Sequence, residues 1–240
     1  MLHEPDISGA PECVIVLVHG GFWRSSYNRW VTSLLARDAV RQGFTVFNIE
    51  YRRLGRFGGG GGWPQTFDDI TDALSLVADR FVDARIMLVG HSAGGHLALA
   101  TAARQRELVD GVISMAAPTD LRLLSERGSE AIDDLVAGAP LEERWSLTSP
   151  IEMLPTGVPT VCIHSDADTT VRPSMSIRYV EDALAADDDA ELVLVSGERH
   201  RSALWPRSAT WQTVLASIDA WNEKLRESSR SGEFVPMETA

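Results

Sequence analysis

An α/β domain built on a mostly parallel sheet of six to eight strands, with helices on both faces, is the fold this sequence predicts. Three observations carry it. Short apolar runs rich in β-branched residues recur along the chain, stretches of helical periodicity separate them, and 240 residues is an ordinary length for one such domain.

Val14–Val18, Thr45–Ile49, Arg85–Val89, Gly111–Met115, Thr160–Ile163 and Glu191–Val195 are near-continuous apolar runs, the pattern of strands covered on both faces. Helical periodicity marks the intervals, at Tyr27–Gln42, Pro64–Phe81, Ala93–Gln105, Ser174–Ala186 and Pro206–Arg226. Strand and helix alternate, which predicts right-handed crossovers within a single domain over residues 1–226. Residues 119–155 are more than a crossover needs and predict a small cap insertion, with a helical piece near Ala131–Ala137. Residues 227–240 are polar and aperiodic and predict a flexible tail.

Composition narrows the function classes. Hydrophobic residues make up 44% and charged residues 23%, the profile of a globular chain. With 22 Lys and Arg against 34 Asp and Glu, the net charge of −12 repels nucleic acid and anionic membrane surfaces, so neither is an expected partner. The longest aliphatic run, Cys13–Val18, is too short to span a bilayer. The opening residues, Met1-Leu2-His3-Glu4-Pro5-Asp6, have neither the basic nor the apolar region of a secretory leader, and the expected location is cytoplasmic. Cys13 and Cys162 each fall in a predicted buried strand and read as small core residues rather than a disulfide or metal ligands.

Gly90-His91-Ser92-Ala93-Gly94 lies directly after one predicted strand and directly before a predicted helix. A serine on so tight a turn needs small neighbours two residues away on either side, because the backbone passes close to itself. The turn leaves Ser92 at a helix N-terminus, where free N–H groups favour developing negative charge. A hydroxyl is a weak nucleophile unless a histidine takes its proton, and that histidine needs an acid to fix its tautomer. His164-Ser165-Asp166-Ala167-Asp168, after the fifth run, offers two acids, and Gly197-Glu198-Arg199-His200, after the sixth, offers the base. Placed on successive strand ends, serine, acid and histidine share the edge where open α/β sheets bind ligands. His19-Gly20-Gly21-Phe22-Trp23, after the first run, supplies N–H groups of Gly21 and Phe22 that can converge with that of Ala93 as an oxyanion hole. His19 itself reads as a loop-orienting residue, since a second general base is not required.

Taken together, His19-Gly20-Gly21-Phe22-Trp23, Glu50-Tyr51-Arg52, Gly90-His91-Ser92-Ala93-Gly94-Gly95-His96 and the acid and histidine segments resemble the α/β-hydrolases over approximately Cys13–Trp221. The esterase, arylformamidase and prolyl-oligopeptidase-like branches are the most similar. The resemblance implies the α/β-hydrolase fold and a serine hydrolase working through an acyl-enzyme, with no cofactor and no metal. It maps the acid to Asp168, four residues after His164 and three before Val171. Asp166 stands where the family usually has a small or polar residue, and Ser165 where it has glycine. Ser92, Asp168 and His200 are then nucleophile, orienting acid and base, and the backbone of Gly21, Phe22 and Ala93 is the oxyanion hole. The expected substrate is a small carboxylic ester. Alternatives are an arylformamidase resembling kynurenine formamidase, a small serine peptidase acting on amides, and a binding module that kept the fold without turnover. A homo-oligomer is compatible with the sequence, which carries no sign for or against one.

Of the seven tryptophans, Trp211 and Trp221 fall on the last predicted helix and are expected to pack on the sheet. Trp23, Trp63, Trp145 and Trp205 fall on loops near the active edge and are expected to line the substrate pocket. Gly58–Gly62 lacks the Lys-Ser or Lys-Thr of a phosphate loop and reads as a mobile loop at the site mouth, beside Phe57. His91 and His96, five apart, do not share a helix face, and no His-Glu-x-x-His occurs, so a metal site is not expected.

Overall fold

Successive side chains of a strand point to opposite faces of its sheet, and in this chain both directions are apolar. In β2 (Cys13–Val18), Val14, Val16 and Val18 enter one core and Cys13, Ile15 and Leu17 the other. β4 (Arg85–His91) repeats the division, with Ile86 and Leu88 on the first side and Met87 and Val89 on the second. Such strands are stable only between two helical layers, each fully buried aliphatic side chain contributing about 1.5–3 kcal/mol.

The computed structural model describes residues 1–5 and 10–231. The remaining strands are β1 (Leu2–His3), β3 (Thr45–Asn48), β5 (Gly111–Met115), β6 (Thr160–Ser165) and β7 (Ala190–Val195). Across the sheet the order is β1-β3-β2-β4-β5-β6-β7. All pairings are parallel except β1 with β3, so the sheet is mixed but mostly parallel, as expected. β1 was not foreseen: its two residues carry no periodicity, and the Met1 amino group donating to Asn48 O at 2.8 Å helps hold it in place.

The helices are α1 (Ser33–Arg41), α2 (Gln65–Arg80), α3 (Ala93–Arg104), α4 (Leu121–Glu126), α5 (Glu130–Val136), α6 (Arg144–Thr148), α7 (Ser174–Ala185) and α8 (Ala209–Ser231). α2 buries Phe67, Ile70, Leu74 and Val77, a stripe at helical spacing, against the first face together with α3. α1 and α8 cover the second face, where Trp211 is fully buried and donates from Nε1 to Asp38 at 2.9 Å. Trp221 packs partly buried against the same core.

α8 continues through Ser231, five residues into the segment expected to be a tail, and residues 232–240 lie outside the described residues. One expectation is corrected here. Gly58–Gly62 is a backbone-paired loop rather than a free one. The Gly58 and Gly61 N–H groups donate to Gly55 O at 2.9 Å and Arg53 O at 3.0 Å, and a Cβ on Gly58 would overlap Arg53 O. The close approach is why glycine stands there.

Candidate active site

Parallel strands deliver their following loops to one edge, and this chain places β2, β4, β6 and β7 side by side or one strand apart. Ser92 leaves β4 with φ 54° and ψ −123°, a left-handed conformation that costs a non-glycine residue about 1–3 kcal/mol. The turn is enforced from both sides. Ser92 N donates to Met115 O at 2.8 Å, and Ser92 O accepts from His96 N at 3.0 Å in the first turn of α3. A Cβ on Gly90 would lie 2.2 Å from Gly94 O, and one on Gly94 2.2 Å from Val18 O, so both positions must lack side chains.

Asp168 and His200 meet after β6 and β7. His200 Nδ1 donates to Asp168 Oδ2 at 2.6 Å, which leaves Nε2 as the ring nitrogen free to act as a base. Thr170 N and Val171 N donate to Asp168 Oδ1 at 2.8 and 3.1 Å, and His164 Nε2 lies 3.5 Å from Oδ2. Burial alone would raise the Asp168 carboxyl, but the bonds from His164 and His200, the charge of His200 and the Thr170 N–H outweigh it and hold the group well below the usual carboxylate range. Asp166 is exposed and accepts instead from Gly197 N at 2.7 Å, so it holds the β7 loop and does not reach His200.

His91, the residue before the serine, ties His200 to the turn at Ser92. Its Nε2 donates to His200 O at 2.9 Å, and the two rings lie 4.7 Å apart. Burial, joined by the neighbouring His200, pushes the His91 imidazole down to about 3, so it is neutral and keeps one tautomer. Its place as the last residue of β4 was the only signal of this role in the sequence.

The loop after β2 carries three consecutive positive φ values, at Gly21 (122°), Phe22 (54°) and Trp23 (55°). Among the described residues the Gly21 and Phe22 N–H groups donate to no protein acceptor. The loop is braced from behind. His19 Nε2 donates to Glu50 Oε1 at 2.9 Å, the Tyr51 hydroxyl donates to His19 O at 2.8 Å, and the His19 and Tyr51 rings stack at 4.3 Å. Trp23 Nε1 donates to His96 Nδ1 at 3.3 Å, and His96 Nε2 donates to Thr148 O at 2.8 Å, linking this loop to α3 and α6.

Ser92, His200, Gly21 and Phe22 line one cleft of about 230 Å³, whose other walls include Tyr27, Val31, Thr170, Arg201 and Leu204. None of the four tryptophans expected there lines it. Trp23 is buried beneath the loop, Trp63 packs on Phe67 and the Arg104 guanidinium, and Trp145 packs against the first core. Trp205 is exposed on a separate hollow. Their loop positions in sequence did not show which way each ring turns. Phe57 is 82% exposed and also lies off the cleft. The 119–155 insertion contributes no lining residue; α5 packs on the first core through Ile132, Leu135 and Val136, and α6 through Trp145. Tyr27, Val31, Thr170, Arg201 and Leu204 were missed, although Arg201 directly follows His200 in the chain and Leu204 lies four residues on. Among the described residues no cluster of His, Cys, Asp and Glu is arranged to hold a metal, and no helix is long and apolar enough to cross a membrane.

A strained strand-to-helix turn at Ser92 on a mostly parallel sheet, with an acid and a histidine on later strand ends, is the arrangement of an esterase/lipase-like fold of the α/β-hydrolase superfamily. The BD-FAE family profile matches residues 2–182, and the chain belongs to that family. It is similar to a probable isoprenylcysteine alpha-carbonyl methylesterase of Arabidopsis thaliana, 30% identical over 109 residues; the match covers 43% of this chain and 22% of that protein. The chain thus spans about a fifth of the curated relative it matches. Among solved structures, a truncated carbohydrate esterase from gut microbiota superposes with a TM-score of 0.74 at 20% identity, covering 89% of this chain and 87% of that one. Propionate-bound esterase 2 of the planctomycete Thermogutta terrifontis gives 0.72 at 20% identity over 99% and 90% of the two chains.

Proposed function

We propose that this chain is a serine hydrolase that cleaves small carboxylic esters through an acyl-enzyme. Ser92 Oγ attacks the carbonyl carbon while His200 Nε2 takes its proton, and Asp168 holds the Nδ1–H in the tautomer this requires. The N–H groups of Gly21, Phe22 and Ala93 receive the oxyanion. Collapse expels the alcohol, which takes its proton back from Nε2. Water, deprotonated by the same nitrogen, then releases the acid. The observation that carries this reading is the 2.6 Å bond between His200 and Asp168 on a cleft that the strained Ser92 also lines. Esterases among the structural neighbours and the small cleft volume support an ester of modest acyl size.

A fluorophosphonate probe labels the native protein and not Ser92→Ala, and p-nitrophenyl acetate turnover falls with the label. An unlabelled native protein, or a labelled Ser92→Ala, overturns the mechanism. Comparing kcat/KM for N-formylkynurenine with that for p-nitrophenyl acetate separates the ester from the formamide substrate class.

A further inference from the structure

Gly21 adopts φ 122°, a conformation that favours glycine, and glycine is the residue with the most backbone freedom to lose. An oxyanion donor must stand about 2.7–3.1 Å from the place where charge develops, so its position has to be imposed from outside. Against Gly21 stands Tyr27. A Cβ on Gly21 would lie 2.3 Å from the Tyr27 Cβ and 2.4 Å from its Cγ, so the root of the Tyr27 ring fills the space that the missing side chain leaves. Tyr27 also lines the cleft with Ser92 and His200.

Tyr27 is itself held from two directions. Along the loop, Arg24 N donates to Gly21 O at 3.0 Å and Tyr27 N to Arg24 O at 3.2 Å, so successive turns bring the chain back onto Gly21. From the segment after β3, Arg53 Nη1 donates to Tyr27 O. The Arg53 Nε donates to Tyr51 O at 3.2 Å and lies 3.4 Å from Glu50 Oε1. A planar guanidinium engaged on two of its nitrogens keeps one orientation. The glycine loop fixes the other end of the residue, because Arg53 N donates to Gly58 O at 2.6 Å and Arg53 O accepts from Gly61 N at 3.0 Å.

We propose that Tyr27 and Arg53 are positioning residues for the reaction: Arg53 holds the Tyr27 main chain, and the Tyr27 ring holds Gly21 so that the Gly21 and Phe22 N–H groups converge on the oxyanion. The proposal rests on the hydrolase reading above and adds the residues that keep its donors in place. Gly58–Gly62, which contributes no residue to the cleft, acts on the reaction at one remove through Arg53.

The test measures kcat and KM for p-nitrophenyl acetate and the inhibition constant of a trifluoromethyl alkyl ketone, whose adduct with Ser92 carries the same oxyanion. In Tyr27→Ala, kcat falls about 10- to 100-fold with KM little changed, less than the loss of a donor outright, and the ketone weakens by the factor that kcat/KM loses. Tyr27→Phe keeps the ring and recovers most of the loss. Arg53→Met lowers kcat about fivefold in the native chain and by less in the Tyr27→Ala background, since both act on one contact. Arg56→Met, at an exposed arginine of the same segment, leaves kcat unchanged. Unchanged melting temperatures separate these effects from loss of the fold, and Tyr27→Leu replaces Tyr27→Ala if the latter does not fold. A rise in KM alone, or a Tyr27→Phe as impaired as Tyr27→Ala, overturns the role of the ring. Full additivity of Tyr27→Ala and Arg53→Met overturns the role of Arg53. A native protein that hydrolyses no ester overturns the hydrolase reading and the positioning pair with it.

Discussion

Asp166 and Asp168 stand two residues apart in one loop and have opposite surroundings. Asp168 is buried and receives His200 Nδ1, while Asp166 faces solvent and receives a backbone N–H of the β7 loop. Asp168→Asn presents an amide to the imidazole and permits the wrong tautomer, so kcat is expected to fall by about 10⁴ with KM little changed. Asp166→Asn loses one exposed contact and is expected to stay within a few-fold of native. Steady-state kinetics on both variants checks the pair. Equal losses would mean that the observed geometry is not the working one.

At the scale of elements, the loop after β2, proposed above to receive the oxyanion, depends on a partner that sequence spacing hides. His19 and Glu50 are 31 residues apart, and the register of β2 beside β3 brings their loops together. Burial would raise the Glu50 carboxyl, but bonds from His19 and the Arg29 N–H, with Arg53 nearby, hold it below its usual value and ionised. Glu50→Gln weakens the brace, so kcat is expected to fall about 10- to 100-fold with little change in KM, less than the loss of a donor outright. A rise in KM at constant kcat would instead indicate that the loop only binds substrate. The same logic marks what the sequence disclosed. Alternating apolar runs carry their own period, so six strands and the long helices were legible. Ser92, Asp168 and His200 were legible because each ends or follows a strand. The orientation of Trp23 and Trp63 was not, because it is set by contacts with Phe67, His96 and Arg104 across the fold, nor was that of Trp145, which packs against the first core. The pinned glycine loop escaped for a related reason: its partner is the backbone of Arg53, which has no sequence signature.

Over the whole molecule, two buried histidines link stability to pH. Burial, opposed by the bonds they make, lowers His91 to about 3 and His96 to about 4, against about 6.5 for an ordinary imidazole. Between those values and about 6.5 the unfolded chain binds protons that the native state does not. Their stabilisation is therefore complete above about pH 6.5 and is lost as pH falls, at about 1.4 kcal/mol per histidine per pH unit. Urea unfolding at several pH values from about 7.5 to 5 is expected to show a shallower decline for His96→Gln than for the native chain. Identical slopes would mean that His96 is not held neutral. The elbow has a different reach. Around Ser92 main chain lies in close contact with main chain, at Gly90, Gly94 and Gly20, whereas Val31 and Leu204, which line the cleft, are side chains on short 3-10 segments. Mutation can therefore redraw what the protein accepts without disturbing how it reacts: selectivity is free to drift over generations, and the chemistry is not.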